Sequence, residues 1–174
     1  MIDYGYGVKL GPLKIENLDA YMKNRNMPEI YNWSRQEDLL NEVTHEEWFY
    51  KQARDPRVRM YEILSGEVFI GVCGLSDLDL LHRRAEFSLY INTKWQKKGL
   101  ATPTLKTLFK HGFYSFGLNV IWGESFDGNP ACQIFEKLGM KKDGARTDFY
   151  WKNGRFIDAH LYSMRASEWK SLGL

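Results

Sequence analysis

The amino-acid sequence predicts an α/β fold with a mixed, mostly antiparallel twisted sheet of about seven strands flanked by about four helices. Three observations lead to this prediction. Residues 85–91 alternate apolar and polar side chains, which is the period of a strand. Apolar residues from Leu105 to Phe116 recur at three- and four-residue steps, which is the period of a helix. The order of the elements, with a strand–helix–strand crossover only near the middle, favours a mixed sheet over a doubly wound one.

Seven segments carry strand signals, namely alternation or β-branched and aromatic runs between turn residues. In chain order they are residues 8–10, 59–64, 68–75, 85–91, 119–124, 148–152 and 155–162. Two turns predict hairpins among them. Ser65-Gly66-Glu67 joins the second strand to the third, and Asn153-Gly154 joins the last two, since Asn-Gly is the strongest two-residue turn signal.

Four segments carry helical spacing, and they begin at Leu18, Thr44, Thr102 and Pro130. Thr44 and Glu47 have the form of a capping box, and Asp55-Pro56 ends that helix. Thr102 is the expected N-cap of the third helix, with Pro103 as its first helical residue. Gly139 is expected to end the fourth helix as a C-cap glycine.

Length and composition limit the class of protein. A chain of 174 residues is about the size of one domain, so we expect a single domain over residues 1–174. A net charge of +2 without a long basic run argues against a nucleic-acid partner. No apolar run approaches the ~20 residues that span a bilayer, and the N-terminus lacks signal-peptide regions. We therefore expect a cytoplasmic monomer or homodimer without a membrane partner.

The most informative motif is the turn from Gln96 to Ala101, which has the form Gln-x-x-Gly-x-Ala between the strand at 85–91 and the third helix. Such a turn leaves backbone N–H groups unpaired at the positive end of a helix dipole, where a phosphate or pyrophosphate fits. The spacing matches neither the dinucleotide nor the P-loop motif. A tight strand-to-helix turn flanked by solvated lysines is the alternative interpretation.

Three segments resemble the GNAT superfamily of N-acetyltransferases. Residues 85–91 with 95–102 resemble its strand and acetyl-CoA pyrophosphate loop, and residues 129–140 are similar to the helix that closes against the pantetheine arm. The C-terminal segment, with Asn153-Gly154 and Glu168-Trp169, is similar to the hairpin of the RimJ/RimL branch. The resemblance extends along nearly all of the chain. It implies the GNAT fold, acetyl-CoA as co-substrate and no requirement for a metal.

The resemblance also implies which residues contact acetyl-CoA. They are Leu89, Tyr90, Ile91, Gln96, Lys97, Lys98, Gly99, Leu100, Ala101, Thr102, Asn129 and Phe135. The pyrophosphate is expected on the backbone N–H groups of residues 96–101.

Two positions depart from the family pattern. In the family, an Asn usually stands one residue further from the Lys-Leu-Gly signature, here residues 137–139, than Asn129 does. In this chain Gly128 occupies that position. Phe135 replaces a tyrosine that protonates the leaving thiolate in many relatives, and its ring has no proton to donate.

The implied reaction is direct attack of a neutral primary amine on the thioester in a ternary complex, through an oxyanion. Glu86 is the first candidate for the general base, because relatives place a carboxylate on this strand. A structural glutamate paired with Arg83 or Arg84 has equal weight. A backbone N–H near Leu89 or Tyr90 is a candidate to polarise the thioester carbonyl. The candidate hydroxyl sources for the general acid are Tyr90, Tyr150 and Tyr162.

Acceptor recognition is expected from Trp33, Arg35 and Tyr150, in the loop before the second helix and in the tail hairpin. Trp151 is favoured as a packing residue in the core or an interface. The acceptor is a small-molecule or peptide amine, and the RimJ/RimL similarity favours a protein N-terminus. An amino-sugar nucleotide is an alternative within the same class. A module that senses acetyl-CoA without turnover is the alternative from another class.

Overall fold

The computed structural model describes all 174 residues and contains one eight-stranded sheet with six helices. The strands are β1 (Ile2–Asp3), β2 (Lys9–Pro12), β3 (Arg59–Ser65), β4 (Val68–Asp79), β5 (Arg84–Ile91), β6 (Val120–Phe126), β7 (Lys141–Lys152) and β8 (Arg155–Arg165). The helices are α1 (Leu18–Arg25), α2 (Pro28–Tyr31), α3 (Glu42–Arg54), α4 (Ala101–Ser115), α5 (Ala131–Leu138) and α6 (Ala166–Ser171). None of these helices has the length and apolar character needed to cross a membrane.

The strands lie in the order β1-β2-β3-β4-β5-β6-β8-β7, and every neighbouring pair is antiparallel except β5 and β6. The predicted mixed, mostly antiparallel sheet is therefore confirmed. The structure adds β1, α2 and α6 to the elements predicted. These have two, four and six residues, so none of them spans enough periods for a hydrophobic pattern to reveal it.

Two helix starts differ from the prediction. Helix α3 begins at Glu42, because the side chain of Asn41 accepts a hydrogen bond from the Thr44 N–H (3.0 Å) and caps the helix. The Thr-x-x-Glu sequence thus lies inside the helix. Helix α4 begins at Ala101, since the Leu100 carbonyl already accepts from the N–H of Thr104 (3.2 Å). Thr102 and Pro103 are therefore first-turn residues.

Two predicted glycine positions are confirmed by their backbone angles. Gly139 ends α5 in the left-handed conformation, with φ of 92°. Asn153 and Gly154 connect β7 to β8 with φ of 52° and 77°, the pair of positive angles that a two-residue hairpin turn requires.

An aromatic cluster fills the sheet face covered by α4 and α5. The ring of Phe87 on β5 contacts Phe109 of α4 at 5.2 Å and Phe135 of α5 at 5.1 Å between centroids, both edge to face. Phe135 contacts Tyr162 of β8 at 5.5 Å. All four side chains are buried, so this cluster holds β5, β6 and β8 in position beneath the two helices.

Gly123 of β6 lies directly under the ring of Phe87. A Cβ atom at this position would lie 2.5 Å from the nearest ring carbon. Because Phe109 and Phe135 hold the ring from above, it cannot move aside without disturbing the cluster. Glycine is therefore required here by close approach.

Replacing Gly123 by Ala is expected to destabilise the protein by about 1 to 3 kcal/mol, the usual cost of overpacking a filled core. Urea unfolding followed by circular dichroism would measure it. Gly144→Ala in β7 is the matched control, because that position has ordinary φ and open space around its missing Cβ. Equal stability of the two variants would contradict the packing argument.

The tip of the β7–β8 hairpin carries three exposed aromatic side chains. Phe149, Trp151 and Phe156 are 55%, 64% and 59% exposed, and the last two contact each other at 4.9 Å. The expectation that Trp151 packs in the core is wrong for this chain. The reason is topological: β6 pairs with β8 only as far as Ala159, so the hairpin tip extends beyond the sheet.

Candidate active site

Strands β5 and β6 are joined at one end only. Their pairing consists of Arg84 with Val120, Ala85 with Ile121 and Glu86 with Trp122. Beyond these pairs β5 continues to Ile91 and β6 to Phe126 without pairing to each other. A wedge-shaped opening results, and Glu86 stands at its apex.

The open edge of β5 carries unpaired backbone N–H groups. The Asn92 N–H donates to the Ile70 carbonyl at the start of β4, at 2.8 Å. Because the direction of the N–H alternates along a strand, the N–H groups of Leu89 and Ile91 point to the opposite side, into the opening. An extended amide-containing ligand can pair with this edge as a missing strand would.

The turn before α4 presents a row of free N–H groups. None of the backbone N–H groups from Lys97 to Thr102 donates a hydrogen bond within the chain. Lys97 and Gly99 have φ of 59° and 74°, and such alternating conformations curve successive N–H groups around an anion. No heavy atom lies within 4 Å of the missing Gly99 Cβ. Together with the positive end of α4, this arrangement fits a pyrophosphate.

Gln96 differs from the expectation, since its backbone N–H already donates to Thr93 (3.2 Å). Its side-chain amide donates to the carbonyl of Ile91 at 3.0 Å and so ties the loop to the end of β5. The ammonium of Lys98 lies 4.4 Å from the centre of the Trp95 ring. Gln96 therefore shapes the loop, while Lys98 adds positive charge beside it.

Asn129, just before α5, and Phe135 on α5 both have structural contacts. The side-chain oxygen of Asn129 accepts from the N–H of Ala131 at 3.0 Å, which leaves the amide nitrogen without an intrachain partner. Phe135 is only 5% exposed and belongs to the aromatic cluster. Their contacts with acetyl-CoA stay predictions.

Glu86 is bound by an arginine from a distant part of the chain. The Arg35 guanidinium donates from one nitrogen to Glu86 (2.8 Å) and from the other to Glu124 of β6 (3.2 Å). Arg83 and Arg84, the partners considered from the sequence, do not contact Glu86; Arg84 lies 3.5 Å from Asp79. The structure thus brings Glu86 and Arg35, predicted as base and acceptor residue, into one ion-pair network.

Glu124 is the centre of this network, and sequence analysis missed it. Its carboxylate accepts from Arg35, from Arg146 of β7 (2.8 Å) and from the hydroxyl of Tyr150. Only 3% of its side chain is exposed, so three donors compensate a buried charge. Alternation along β6 places Glu124 on the same face as Trp122, but its position near Glu86, two residues beyond the Glu86–Trp122 pair, follows only from the β5–β6 register.

Burial raises the pKa of Glu86 above its ordinary value. The charge of Arg35 opposes this effect, while the nearby carboxylates of Glu124 and Asp77 add to it. A carboxyl group with a raised pKa is a stronger base once it is deprotonated. Glu86 at the apex of the opening thus has a raised pKa, and its role as general base stays a prediction.

The other candidate residues lie around this centre. Tyr90 shares the face of Glu86, and its hydroxyl is enclosed without a hydrogen-bond partner. Burial raises the pKa of Tyr90. Tyr162 donates to Glu136 at 3.0 Å on the opposite face. Trp33 is 41% exposed in the segment that carries Arg35. Their roles as acid or acceptor contacts stay predictions.

Comparison with known proteins supplies the family. The family model described as an acetyltransferase (GNAT) domain matches residues 8–141. The spermidine N(1)-acetyltransferase of Escherichia coli (strain K12) is 26% identical over 155 residues, which are 88% of this chain and 83% of that protein. The putative ribosomal N-acetyltransferase YdaF of Bacillus subtilis is 28% identical over 101 residues, 58% of this chain and 55% of that protein.

A solved structure shows the same fold. The spermidine N-acetyltransferase from Vibrio cholerae, in complex with CoA and spermine, superposes with a TM-score of 0.90 at 23% identity and covers 94% of this chain and 98% of that chain. The region matched by the family model includes the wedge between β5 and β6, the free N–H groups before α4 and helix α5. The chain belongs to the GNAT acetyltransferase family, and it is an acyltransferase that uses acetyl-CoA as its acetyl donor.

Proposed function

We propose that the protein transfers the acetyl group to a primary amine of a small molecule by direct attack in a ternary complex, with Glu86 as general base. The observation that carries this proposal is the position of Glu86 at the apex of the opening between β5 and β6. A thioester whose pantetheine arm pairs with the edge of β5 would reach this apex. An amine entering from the other side of the sheet would meet the carboxylate there.

The chemistry requires little more than this arrangement. Glu86 takes a proton from the incoming ammonium, and the resulting neutral nitrogen attacks the thioester carbon. Collapse of the oxyanion breaks the C–S bond, and CoA leaves as a thiolate that takes a proton from water. The attacking nitrogen loses its second proton to give the neutral amide. The N–H of Leu89 points into the opening and is the candidate donor to the thioester oxygen, where negative charge develops. The N–H groups of residues 97–102 would hold the pyrophosphate, and they fit it without rearrangement.

We infer that the acceptor is a polyamine. Two carboxylates, Glu86 and Glu124, converge on one cation in the present structure, so the apex is built to receive a positively charged nitrogen. Relatives named spermidine N(1)-acetyltransferases support the same class. The protein N-terminus and the RimJ/RimL branch expected from sequence are the alternative to a polyamine, and the putative ribosomal relative supports that alternative.

A second candidate is an amine that also carries a negative group, such as an amino-sugar nucleotide. It is favoured by two cations near the site that have no carboxylate partner. Arg25 donates only to the Gln36 side chain (3.3 Å), and Lys152 donates to the Gln36 carbonyl (2.6 Å). Burial lowers the pKa of both groups, as expected for cations without a counter-charge.

A panel of amines tests these acceptors directly. With acetyl-CoA in excess, spermidine is expected to release free thiol faster than hydrolysis does, and faster than an N-terminal peptide or an amino-sugar nucleotide. Release is followed with a thiol reagent, and mass spectrometry identifies the acetylated nitrogen. Preference for the nucleotide would support the second candidate. Binding of acetyl-CoA without transfer to any amine would contradict the proposed function and support a sensor.

A further inference from the structure

The site for the acceptor's ammonium is already filled by a cation of the chain. The guanidinium of Arg35 bridges Glu86 and Glu124, and it is the single hydrogen-bond partner of the Glu86 carboxylate. The guanidinium charge at Glu86 Oε1 lowers the proton affinity of the carboxylate and occupies the position between it and Glu124. An ammonium cannot approach between the two carboxylates, because like charges would meet at contact distance.

We propose that Arg35 is a displaceable internal cation. It occupies the cation-binding position between Glu86 and Glu124, called the seat below, until the acceptor's ammonium takes its place. This proposal rests on the proposed function of Glu86 and goes beyond it, because it assigns the seat and the order of events. The acceptor enters as Arg35 leaves, and Glu86 then faces the acceptor's ammonium instead of the guanidinium.

The burial of the three side chains supports an exchange. Glu86 and Glu124 are held on strands, and 11% and 3% of their side chains are exposed. Arg35 comes from the segment between α2 and α3, and half of its side chain (50%) is exposed. The arginine can therefore withdraw into solvent without opening the core, whereas the carboxylates stay in place.

The partners of the two carboxylates differ in a way that suits this exchange. When Arg35 leaves, Glu124 keeps Arg146 and the Tyr150 hydroxyl, so its charge remains compensated. Glu86 keeps no hydrogen-bond partner. The departure of Arg35 therefore affects Glu86 selectively and leaves the rest of the network assembled.

Charge balance explains why the seat is not left empty. Two buried carboxylates without a cation between them would repel each other and lose hydration. The charged and titratable groups that face Glu86 are Arg35 from the segment before α3, Glu124 from β6 and Asp77 from β4. Among them Arg35 is the only cation. Either it or the acceptor's ammonium must be present.

The test uses guanidinium ion as a probe of the seat in the variant Arg35→Ala. Initial rates are measured against acceptor concentration in guanidinium chloride at millimolar levels, with sodium chloride as the ionic-strength control. Such levels lie far below the molar range in which guanidinium unfolds proteins. We expect competitive inhibition in the variant: the apparent acceptor KM doubles at a guanidinium concentration equal to its inhibition constant, and kcat is unchanged. Wild-type enzyme should show no such effect.

A second readout follows the base itself. Because Arg35 lowers the pKa of Glu86 in the acceptor-free enzyme, its removal should move the acid limb of kcat/KM to higher pH. An acceptor-free NMR titration of the Glu86 carboxyl should show the same upward shift in the variant, and saturating guanidinium should reverse it. Arg54→Ala is the matched control, since Arg54 is an exposed arginine of α3 that makes no ion pair. Should Arg35→Ala fail to fold, Arg35→Gln keeps an unbranched polar side chain, although a shorter one, and removes the charge.

Two results would overturn the proposal. If guanidinium restores a lost kcat in Arg35→Ala, the arginine is a required positioning residue and not a displaceable cation. If guanidinium changes neither KM nor the NMR titration of the variant, the seat does not exist. The NMR titration needs no turnover, so a wild-type enzyme that acetylates no amine would count against the proposed function alone.

Discussion

Replacing Glu86 by Gln is expected to lower kcat by about 10²- to 10⁴-fold, the contribution of a general base. The amide has nearly the same shape, and its oxygen can still accept from Arg35, so the network should stay assembled. Affinity for acetyl-CoA should not change, because the free N–H groups before α4 are untouched. Thiol release measured at fixed times gives kcat, and calorimetric titration with CoA gives the affinity for the cofactor.

The pH profile separates a base from a structural carboxylate. The base acts only when deprotonated, and burial raises the pKa of Glu86 in the free enzyme, so wild-type kcat/KM should fall at a pH above the ordinary carboxyl value of 4.5. In Glu86→Gln this limb should vanish, and the residual rate should follow the neutral fraction of the free amine. Glu67→Gln, in the exposed turn between β3 and β4, is the control. An unchanged profile in Glu86→Gln would remove it as the base.

Replacing Gly99 by Asp is expected to weaken the binding of acetyl-CoA by at least about tenfold, or roughly 1.4 kcal/mol. The new carboxylate would stand among N–H groups that otherwise face the pyrophosphate, so like charges would meet. The left-handed φ of 74° adds backbone strain, although Asp tolerates this region better than most residues. Calorimetric titration with CoA measures the change.

Two controls isolate the charge. Gly99→Asn has the same shape and the same strain without the charge, so it should lose much less affinity. Gly117→Asp places the same residue at a similar φ of 62°, also in open space, but at the far end of α4. It should bind CoA as the wild type does. Equal affinities for Gly99→Asp and Gly99→Asn would show that the loop does not hold an anion.

Much of the fold could be predicted because its signals are local. The alternation in β5, the helical spacing of α4, the left-handed Gly139 and the Asn153-Gly154 turn each depend on neighbours within a few residues. The errors arose where a local signal had two solutions. Asn41 and Thr44 can both cap a helix, and the structure uses the earlier one.

The candidate site divides in the same way. Residues 97–102 and Glu86 were found from sequence because the loop and its strand are contiguous. Glu124 was not found, since β6 lies next to β5 only through a parallel crossover, and the register decides which side chains face each other. Arg35 was assigned to the acceptor, but its partner was not foreseen, because 51 residues separate it from Glu86.

The sequence alone determined most of the order of elements and the position of the glycine turn before α4, because each depends on a short stretch of chain. The resemblance of that stretch to the GNAT superfamily pointed to Glu86 as candidate base. Only the tertiary structure decided that β5 and β6 separate just beyond Glu86, and that a second carboxylate and an arginine meet it there. The physical reason is that strand pairing and buried charge compensation join residues distant in sequence. Local patterns contain no information about which distant cation a buried carboxylate will bind.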